Sequence, residues 1–412
     1  MGPPFFWCTI TGVFVMSYAV SYFLLPGLSY VDPAWIGVPF VFDRTRMLPA
    51  MGWSAVGLLA FLHGRYLNGW TAQRSYAFRG ALAPEWRTCL RPERLWRIWG
   101  ATTAILAMVV LWLCVAQGWE RLFLARGEVF LGKGITFNLY LALMLYSSAF
   151  ALLIFAMLRS RGILLLQSAI LLVVGFGARG LLVTFLVAVA LVAGRVQHQQ
   201  ALRVFRTLAR YGAIAALIGV SCLSLVFLRS REQADWSNAR RAVLNTFEEG
   251  QMFAAVYAHY SDHLLHGQTI WDIRFLFLPQ QVYAYLPQDW VASKPSYYGK
   301  AVFEQDLGLI SRYGESWGST TFGMLSELFA NFGVLGIIVG MEMWGWFYAF
   351  VERLGALTPD CLGFLVYLML YIFQGWIFRH GLLGLVQSQL VPALFFPVIL
   401  ALAYARRRSS AC

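Results

Sequence analysis

Long apolar stretches recur along the chain, and most of them are close to 20 residues in length. Such a run is enough for a helix to cross a hydrocarbon core of roughly 30 Å. These runs predict membrane-spanning helices at residues 5–25, 48–66, 98–117, 135–158, 208–228, 332–351, 362–378 and 382–404. The pattern therefore predicts an all-α, polytopic integral membrane protein.

A further apolar run, residues 163–194, is too long for one crossing, because as a single helix it would extend about 48 Å. Glycines in its central sequence GFGARG permit a bend at Arg179, which divides the run into two short segments. About ten membrane segments result. An arginine at the centre of a spanning helix costs roughly 2.5–3.5 kcal/mol on insertion scales. We therefore expect Arg179 to lie in a recess at headgroup depth.

The distribution of basic residues predicts the orientation of these segments. With the basic tail ARRRSS inside the cell, 17 lysines and arginines fall on the cytoplasmic side, against five in the short outer loops. The positive-inside rule then places both termini in the cytoplasm. We divide the chain into N-terminal membrane segments (1–228), one large outer loop containing helices (229–316) and C-terminal membrane segments (317–412), within one membrane domain overall.

Composition supports the same class of protein. Of the 412 residues, 59% are hydrophobic and only 13% are charged, which excludes an ordinary soluble domain. The net charge is +12. Because the basic residues are concentrated on the predicted cytoplasmic side, the positive-inside rule accounts for this charge, and no nucleic-acid partner is expected. No cysteine falls in a predicted outer segment, and the cysteine spacing matches no zinc motif.

Ionisable residues are concentrated in the outer loop, which contains 10 of the 20 acids and three of the six histidines. This concentration indicates a site that opens outward. The loop contains a predicted helix whose apolar face comprises Phe253, Val256, Tyr257, Tyr260 and Leu264. We expect this helix to end at Gly267 and to lie on the membrane domain. The sequence TTFGMLSELFANFG predicts an interfacial helix that leads into the span at 332–351.

The histidines of the loop have two interpretations, as polar residues on a surface helix or as functional groups. His259 and His263 share a helical face, but without an HExxH motif or further ligands, polar decoration of a surface helix is favoured over a metal site. His263 stays a candidate base, since imidazole titrates near neutrality.

Charged residues within membrane sequence are harder to explain as surface decoration. Arg179 and Arg379 are flanked by glycine-rich or aromatic membrane sequence, which favours a functional role. Glu342 lies near the middle of its span and should pair, protonate or line a cavity. Glu327, nearer the interface, could be solvated. Gly336 and Gly340 form a small-xxx-small face that indicates helix packing.

Four features within roughly residues 135–404 form a combined pattern. They are the sequence GFGARG, a long outer loop with LP and SKP, the sequence GMLSELFANFGVLGIIVGMEMWG, and the FRHG that ends the penultimate span. This pattern resembles the O-antigen polymerase family. The resemblance implies a membrane-embedded GT-C type glycosyltransferase that acts at the periplasmic face of the bacterial inner membrane. Its substrates would be undecaprenyl-diphosphate-linked oligosaccharides, as donor and as acceptor. The lipid bilayer and a chain-length regulator protein would be further partners.

Candidate site residues follow from this chemistry. Arginines can stabilise the charge of a lipid diphosphate leaving group without a metal or another cofactor. The candidates for binding the substrate or its diphosphate are Arg179, Arg379, Arg229, Arg240, Arg241, Arg274, Lys294 and Glu327. For Arg229, Arg240 and Arg241, a solvated position at a helix or span end is an equal alternative. The base that takes the proton of the acceptor hydroxyl would be Glu315, then His380, then His263.

Two rival functions stay open. An O-antigen ligase would share the architecture and the donor but transfer the glycan to lipid A core. A transporter or flippase for lipid-linked glycans usually has interrupted helices in matching halves, and the sequence predicts one interrupted run, at Arg179. A scaffold protein would explain neither the two outer arginines nor the charged loop.

Overall fold

The computed structural model of the chain describes residues 9–32, 44–74, 90–117, 134–174, 249–261, 264–265, 323–357, 359–372 and 374, together with 185, 188, 189 and 192. Regular structure in these residues is helical, without a β-strand. The helices are α1 (Ile10–Ala19), α2 (Leu25–Val31), α3 (Arg44–Arg74), α4 (Pro92–Gln117), α5 (Gly134–Leu158), α6 (Arg161–Val174), α7 (Glu249–His259) and α8 (Met324–Gly355), followed by α9 (Leu362–Ile372).

Four segments of the described chain are long and apolar enough to cross a membrane. They are Ile10–Val31, Thr45–Leu67, Pro92–Trp112 and Met324–Gly355. Their positions agree with the spans predicted at 5–25, 48–66, 98–117 and 332–351, and they confirm a helical membrane protein. Shorter apolar helices cover parts of the spans predicted at 135–158 and 362–378 and of the apolar run 163–194. The spans at 208–228 and 382–404, and the bend at Arg179, lie outside the described residues.

The first span contains a π-helical turn near its middle. This turn, Val20–Leu24, lies between α1 and α2 within one continuous helical segment, Ile10–Val31. Pro26 lies two residues after this turn, and a proline has no N–H to donate to the carbonyl of Tyr22 and clashes with that carbonyl in a regular helix. The widened turn relieves both problems. The sequence analysis predicted a regular span here and did not include the π-turn.

Aromatic side chains hold α1, α3 and α8 together. The ring of Phe14 stacks on that of Phe61 at a centroid distance of 4.3 Å and approaches Tyr348 at 4.9 Å. One helical turn further along α1, the Tyr18 hydroxyl donates to the carbonyl of Ser54 at 2.8 Å. These contacts run down an antiparallel pair, α1 and α3, with α8 packed across it.

Helices α4, α5 and α6 are joined by a buried hydrogen-bond network. The Trp99 Nε1–H group donates to Oε1 of Gln167 at 3.0 Å. The Gln167 amide in turn donates to the hydroxyls of Ser147 and Ser148 at 3.0 and 3.3 Å. Side-chain hydrogen bonds of this kind between apolar helices stabilise helix association in a membrane. Gln167, one of the few polar residues of the run 163–194, therefore has a structural role.

Helix α8 consists of two pieces that fold back on each other at Gly333. This glycine has φ 62° and ψ −148°, which no helix accommodates. Residues eight apart in a straight helix are separated by about 12 Å, yet a Cβ on Gly336 would collide with the carbonyl of Leu328, and one on Gly340 would meet its side chain. The predicted packing role of Gly336 and Gly340 is confirmed, and their partner is the segment 324–332, which the sequence predicted as a separate helix before the span.

Helix α7 comes from the predicted outer loop but is embedded in the core. Phe253, Val256, Tyr257 and Tyr260 are buried, as their spacing predicted. The predicted end at Gly267 is wrong, because α7 ends at His259 and the chain turns. The turn is held by a long-range bond in which the Val334 N–H donates to the carbonyl of Leu264 at 2.8 Å. This bond ties the turn to the fold-back of α8 and so competes with continuation of α7.

Residues predicted to lie on one side of the membrane meet at one end of the bundle. Arg65 of α3 forms a salt bridge with Glu352 of α8 at 3.0 Å. The Thr11 backbone N–H, at the start of α1, also donates to the Glu352 carboxylate at 3.3 Å. Near the start of α4, the Leu90 N–H donates to the carbonyl of Asp360, which follows α8, at 2.7 Å. The relative directions of these helices therefore agree with the predicted topology.

Candidate functional site

Helix α7, which lies within the predicted loop 229–316, and Gly323, which follows that loop, both reach the middle of the first span. Each contacts Tyr22, which sits about midway along the segment Ile10–Val31. We call the group formed by Ser21, Tyr22, Glu249, Gly323 and Ser326 the Tyr22 cluster. All of its members are buried.

Gly323 packs closely against Tyr22 and Glu249. Its φ of +74° is left-handed, a conformation that glycine adopts without strain. A Cβ at this position would lie 3.2 Å from the Tyr22 hydroxyl and 3.4 and 3.5 Å from Cβ and Cγ of Glu249. The Tyr22 hydroxyl also faces the backbone of Leu325. The missing side chain therefore lets Tyr22 and Glu249 approach the start of α8.

On the other side of the cluster, α7 packs directly on the π-helical turn. A Cβ on Gly250 would collide with the carbonyl of Ser21 and approach Cα of Tyr22 at 3.0 Å. Two residues of this interface also form a buried hydrogen bond, in which Nε2 of Gln251 donates to the Ser29 hydroxyl at 3.1 Å. The π-turn and α7 are thus in backbone contact.

The N-termini of two helices and one carboxyl group determine the electrostatic potential in the cluster. Glu249 is fully buried and occupies the first turn of α7. Gly323, the N-cap of α8, is its immediate neighbour. A helix N-terminus carries about half a positive charge, so an acidic side chain beside two of them is stabilised. The positive ends of two helices therefore meet around Glu249.

Glu327 lies in the first turn of α8 and is 4% exposed. This burial removes the alternative that it is merely solvated. Its backbone N–H donates to the carbonyl of Gly323 at 3.1 Å, and Nδ2 of Asn331 donates to its carbonyl at 2.7 Å. Two acidic residues, Glu249 and Glu327, thus occupy the start of their helices inside the apolar core.

Among the described residues, two buried hydroxyl groups of these segments have no hydrogen-bond partner. They belong to Ser21, in the π-turn, and Ser326, in the first turn of α8. Buried hydroxyls are nearly always bonded, and leaving one unbonded costs about 1–3 kcal/mol. The cluster therefore combines a carboxyl group, a phenol and two hydroxyls that can still donate or accept. Such groups can bind or orient hydroxyl-bearing molecules and can transfer protons.

Most of the residues predicted for the site lie outside the described part of the chain. These are Glu315, His380, His263, Arg179, Arg379, Arg229, Arg240, Arg241, Arg274 and Lys294. Their roles stay predictions. Glu327 is the exception, and it lies buried in the first turn of α8. Among the described residues no group of three histidines, cysteines or acids could hold a metal ion.

Sequence reasoning missed Tyr22 and Glu249. Glu249 carried a weak signal, as one of two consecutive acids ahead of a helical pattern. Tyr22 carried none, because a tyrosine in an apolar span is ordinary and its role depends on Gly323, some 300 residues later.

Comparison of the chain with family models, with curated proteins and with solved structures finds no match.

Proposed function

We propose that this protein is a membrane-embedded glycosyltransferase of the O-antigen polymerase type. It would transfer a growing glycan from undecaprenyl diphosphate to a sugar hydroxyl of a new lipid-linked repeat unit. The observation that carries the proposal is the Tyr22 cluster. It places buried carboxyl and hydroxyl groups beside the middle of the first span, where helix α7, within the predicted loop 229–316, meets the start of α8.

The finer architecture belongs to the same proposal. About ten membrane segments would lie in the bacterial inner membrane with both termini in the cytoplasm, and residues 229–316 would face the periplasm. The meeting of Thr11, Arg65 and Glu352 at one end of the bundle supports the relative directions of three of these segments. The donor and acceptor lipids would then approach from the outer leaflet.

In the reaction, the acceptor hydroxyl oxygen bonds to the anomeric carbon of the donor sugar. The bond between that carbon and the diphosphate oxygen breaks, and the diphosphate leaves with the electron pair. Arg179 and Arg379 would stabilise this charge, each contact contributing on the order of 4 kcal/mol at 4 Å before desolvation. Glu315 would take the hydroxyl proton, with His380 and His263 as alternatives. Glu327, as an acid, suits the sugar rather than the diphosphate.

Replacing either arginine tests the diphosphate contact. We expect Arg179→Ala and Arg379→Ala each to abolish chain extension while abundance in the membrane is unchanged. Arg→Lys variants should rescue only in part, because an ammonium group cannot form the bidentate contact with phosphate oxygens. The measurement is a ladder of products from purified protein and a synthetic undecaprenyl-diphosphate-linked repeat unit, with and without a chelator.

Full-length polymer formed at the normal rate by either alanine variant would remove that arginine from the mechanism. Wild-type protein that yields neither a ladder nor released lipid diphosphate would remove the polymerase assignment. Transfer to lipid A core in place of chain extension would indicate the O-antigen ligase.

A transporter or flippase for lipid-linked glycans is the second candidate. It is favoured by the non-helical backbone at Gly333 in α8, since transporters build binding sites from discontinuous helices. Reconstituted vesicles separate the two functions. A transporter would move a lipid-linked glycan between leaflets and leave its glycosidic bond intact, whereas the proposed enzyme would cleave that bond.

A further inference from the structure

Helices α4 and α6 begin at the same level. The bond from Trp99 to Gln167 fixes how the two helices lie beside each other. Helix α4 begins seven residues before Trp99 and α6 begins six residues before Gln167, distances of about 10 and 9 Å along the two axes. The helices run in the same direction, because the opposite one would place the exposed Arg161 level with the centre of α4, where lipid disfavours it. The two N-termini therefore lie side by side.

Five arginines surround these two N-termini, and we call them the arginine patch. Arg91 precedes α4, Arg94 and Arg97 lie in its first two turns, and Arg159 and Arg161 flank the short connection from α5 into α6. All but Arg94 are exposed, and within the described chain these four form no salt bridge. Their guanidinium groups are therefore available to a partner outside the helices.

The positive charge of the patch exceeds the negative charge near it. In the described part of the chain, the acids at the start of α4 are Glu93, in its first turn, and Asp360, whose carbonyl accepts from the Leu90 N–H at 2.7 Å. Each helix N-terminus adds about half a positive charge and disfavours cations beside it. Five arginines and two N-termini against two acids leave an excess that a bound anion would offset.

The backbone of Arg159 is an independent sign that its side chain is needed. Its φ of 56° is left-handed, which is unique among the described residues other than glycine. Glycine is the residue that favours this conformation after the end of a helix. An arginine therefore occupies, at a cost in backbone energy, a position in which glycine would end α5 without strain.

The surroundings of the patch match a lipid. Leu158, Leu165 and Leu166 are exposed within two turns of the α5–α6 connection, and Trp96 of α4 is partly exposed between the arginines. Tryptophan is enriched at the depth where headgroups meet acyl chains. A partner here would meet positive charge at its polar end and apolar side chains beyond it, as a phospholipid does.

We propose that the arginine patch binds the phosphate headgroup of an anionic phospholipid. Guanidinium groups can form paired hydrogen bonds with phosphate oxygens, and the headgroup would lie between the start of α4 and the α5–α6 connection. The lipid thereby links α4 to the pair α5 and α6 at this end of the bundle. This site is separate from the Tyr22 cluster and does not depend on glycosyl transfer.

Two variants remove charge from the patch. Arg91→Gln/Arg161→Gln takes one arginine from each helix start, and Arg159→Gly takes the third while relieving the left-handed backbone. The matched control is Arg46→Gln. Arg46 is also an exposed arginine in the first turn of a helix, but it lies in α3 nineteen residues before Arg65, which places it at the opposite end of the bundle.

The measurement is lipid binding by the purified full-length protein in an uncharged detergent. The protein is titrated with phosphatidylglycerol or phosphatidylcholine, and the lipid-bound fraction is counted by native mass spectrometry. We expect wild type to bind phosphatidylglycerol at least about tenfold more tightly than phosphatidylcholine, because each arginine near an anionic headgroup strengthens binding about fivefold. By the same scale, the affinity for phosphatidylglycerol should fall about tenfold or more in the double variant and about fivefold in Arg159→Gly, and stay within about twofold in Arg46→Gln.

Three results would overturn the site. Equal affinity of wild type for the two lipids would remove the anionic headgroup. A loss in Arg46→Gln as large as in the patch variants would reduce the effect to net charge. Tighter binding of a soluble glutamate-rich peptide than of phosphatidylglycerol would assign the patch to an acidic protein. Should the double variant not accumulate, Arg159→Gly decides by the same criteria, since glycine suits its backbone.

Discussion

Glu342 lies on the outer surface of α8 and is paired with His63 of α3. Its Oε1 lies 3.1 Å from Nδ1 of His63, and the two side chains are 35% and 59% exposed. Their exposed neighbours on the two helices include Leu59, Val339 and Met343. Of the three outcomes expected for a carboxyl group in this span, the structure shows pairing. Pairing lowers the free-energy cost of placing two ionisable groups on an apolar helix surface.

Removing one partner should therefore cost more than removing both. We expect His63→Leu to lower the free energy of unfolding by about 1–2 kcal/mol, because Glu342 is left unpaired beside lipid. The double variant His63→Leu/Glu342→Leu should recover most of this loss, as replacement of an ion pair by apolar residues is often neutral or stabilising. Unfolding in mixed micelles measures the cycle. Additive losses would mean that the two residues do not interact.

At the scale of elements, α3 and α8 cross in backbone contact. A Cβ on Gly64 would collide with the carbonyl of Glu342, and a Cβ on Gly345 with the carbonyl of Phe61. Small residues at a helix crossing let the backbones approach and increase dispersion contacts, which drive association where lipid competes with the apolar side chains. This crossing also carries the aromatic stack, the Arg65–Glu352 salt bridge and the His63–Glu342 pair.

The crossing predicts opposite effects for the same substitution at two positions of α3. Gly64→Ala should lower the free energy of unfolding by about 1–3 kcal/mol or more, because the added methyl group meets backbone that cannot move aside. Gly52→Ala should raise it by about 0.5–1 kcal/mol, since Gly52 has open space around it and alanine favours helix. Thermal unfolding of the two variants in one detergent provides the comparison. A Gly64→Ala variant as stable as Gly52→Ala would contradict the close crossing.

At the scale of the whole molecule, residues far apart in sequence meet at matching ends of the helices. Thr11, Arg65 and Glu352 meet at one end, and the Leu90–Asp360 bond joins two segments predicted to lie on that same side. Asp32, at the opposite end of the first span, is exposed. Which end faces the cytoplasm is a prediction from the distribution of basic residues.

Cysteine labelling tests this orientation. In a cysteine-free background, we expect Asp32→Cys to react with a membrane-impermeant maleimide in intact cells. Ser160→Cys, in the short connection between α5 and α6, should react only after permeabilisation, because the positive-inside rule applied to Arg159 and Arg161 predicts that this connection is cytoplasmic. The reverse pattern would invert the proposed topology and move the long loop to the cytoplasm.

Several features were predictable because they depend on local sequence. Apolar runs predicted α1, α3 to α6, α8 and α9, since a backbone in lipid must satisfy its hydrogen bonds within the helix. The spacing from Phe253 to Tyr260 predicted a buried face, and Gly336 with Gly340 predicted packing. The end of α7 was not predictable, because it depends on the bond from Val334 to Leu264. The π-turn was signalled only by Pro26, which also suits an ordinary first turn of a helix.

The amino-acid sequence by itself determined the class of molecule, a helical membrane protein, and the position of its apolar helices, because length and hydropathy are properties of each segment alone. Only the tertiary structure decided that the middle of the first span contacts α7 and the start of α8. The approaches of Gly250 and Gly323 to Tyr22 depend on the π-turn and on the positions of α7 and α8. Each joins segments distant in sequence, and no local pattern specifies which distant segment fills a given space.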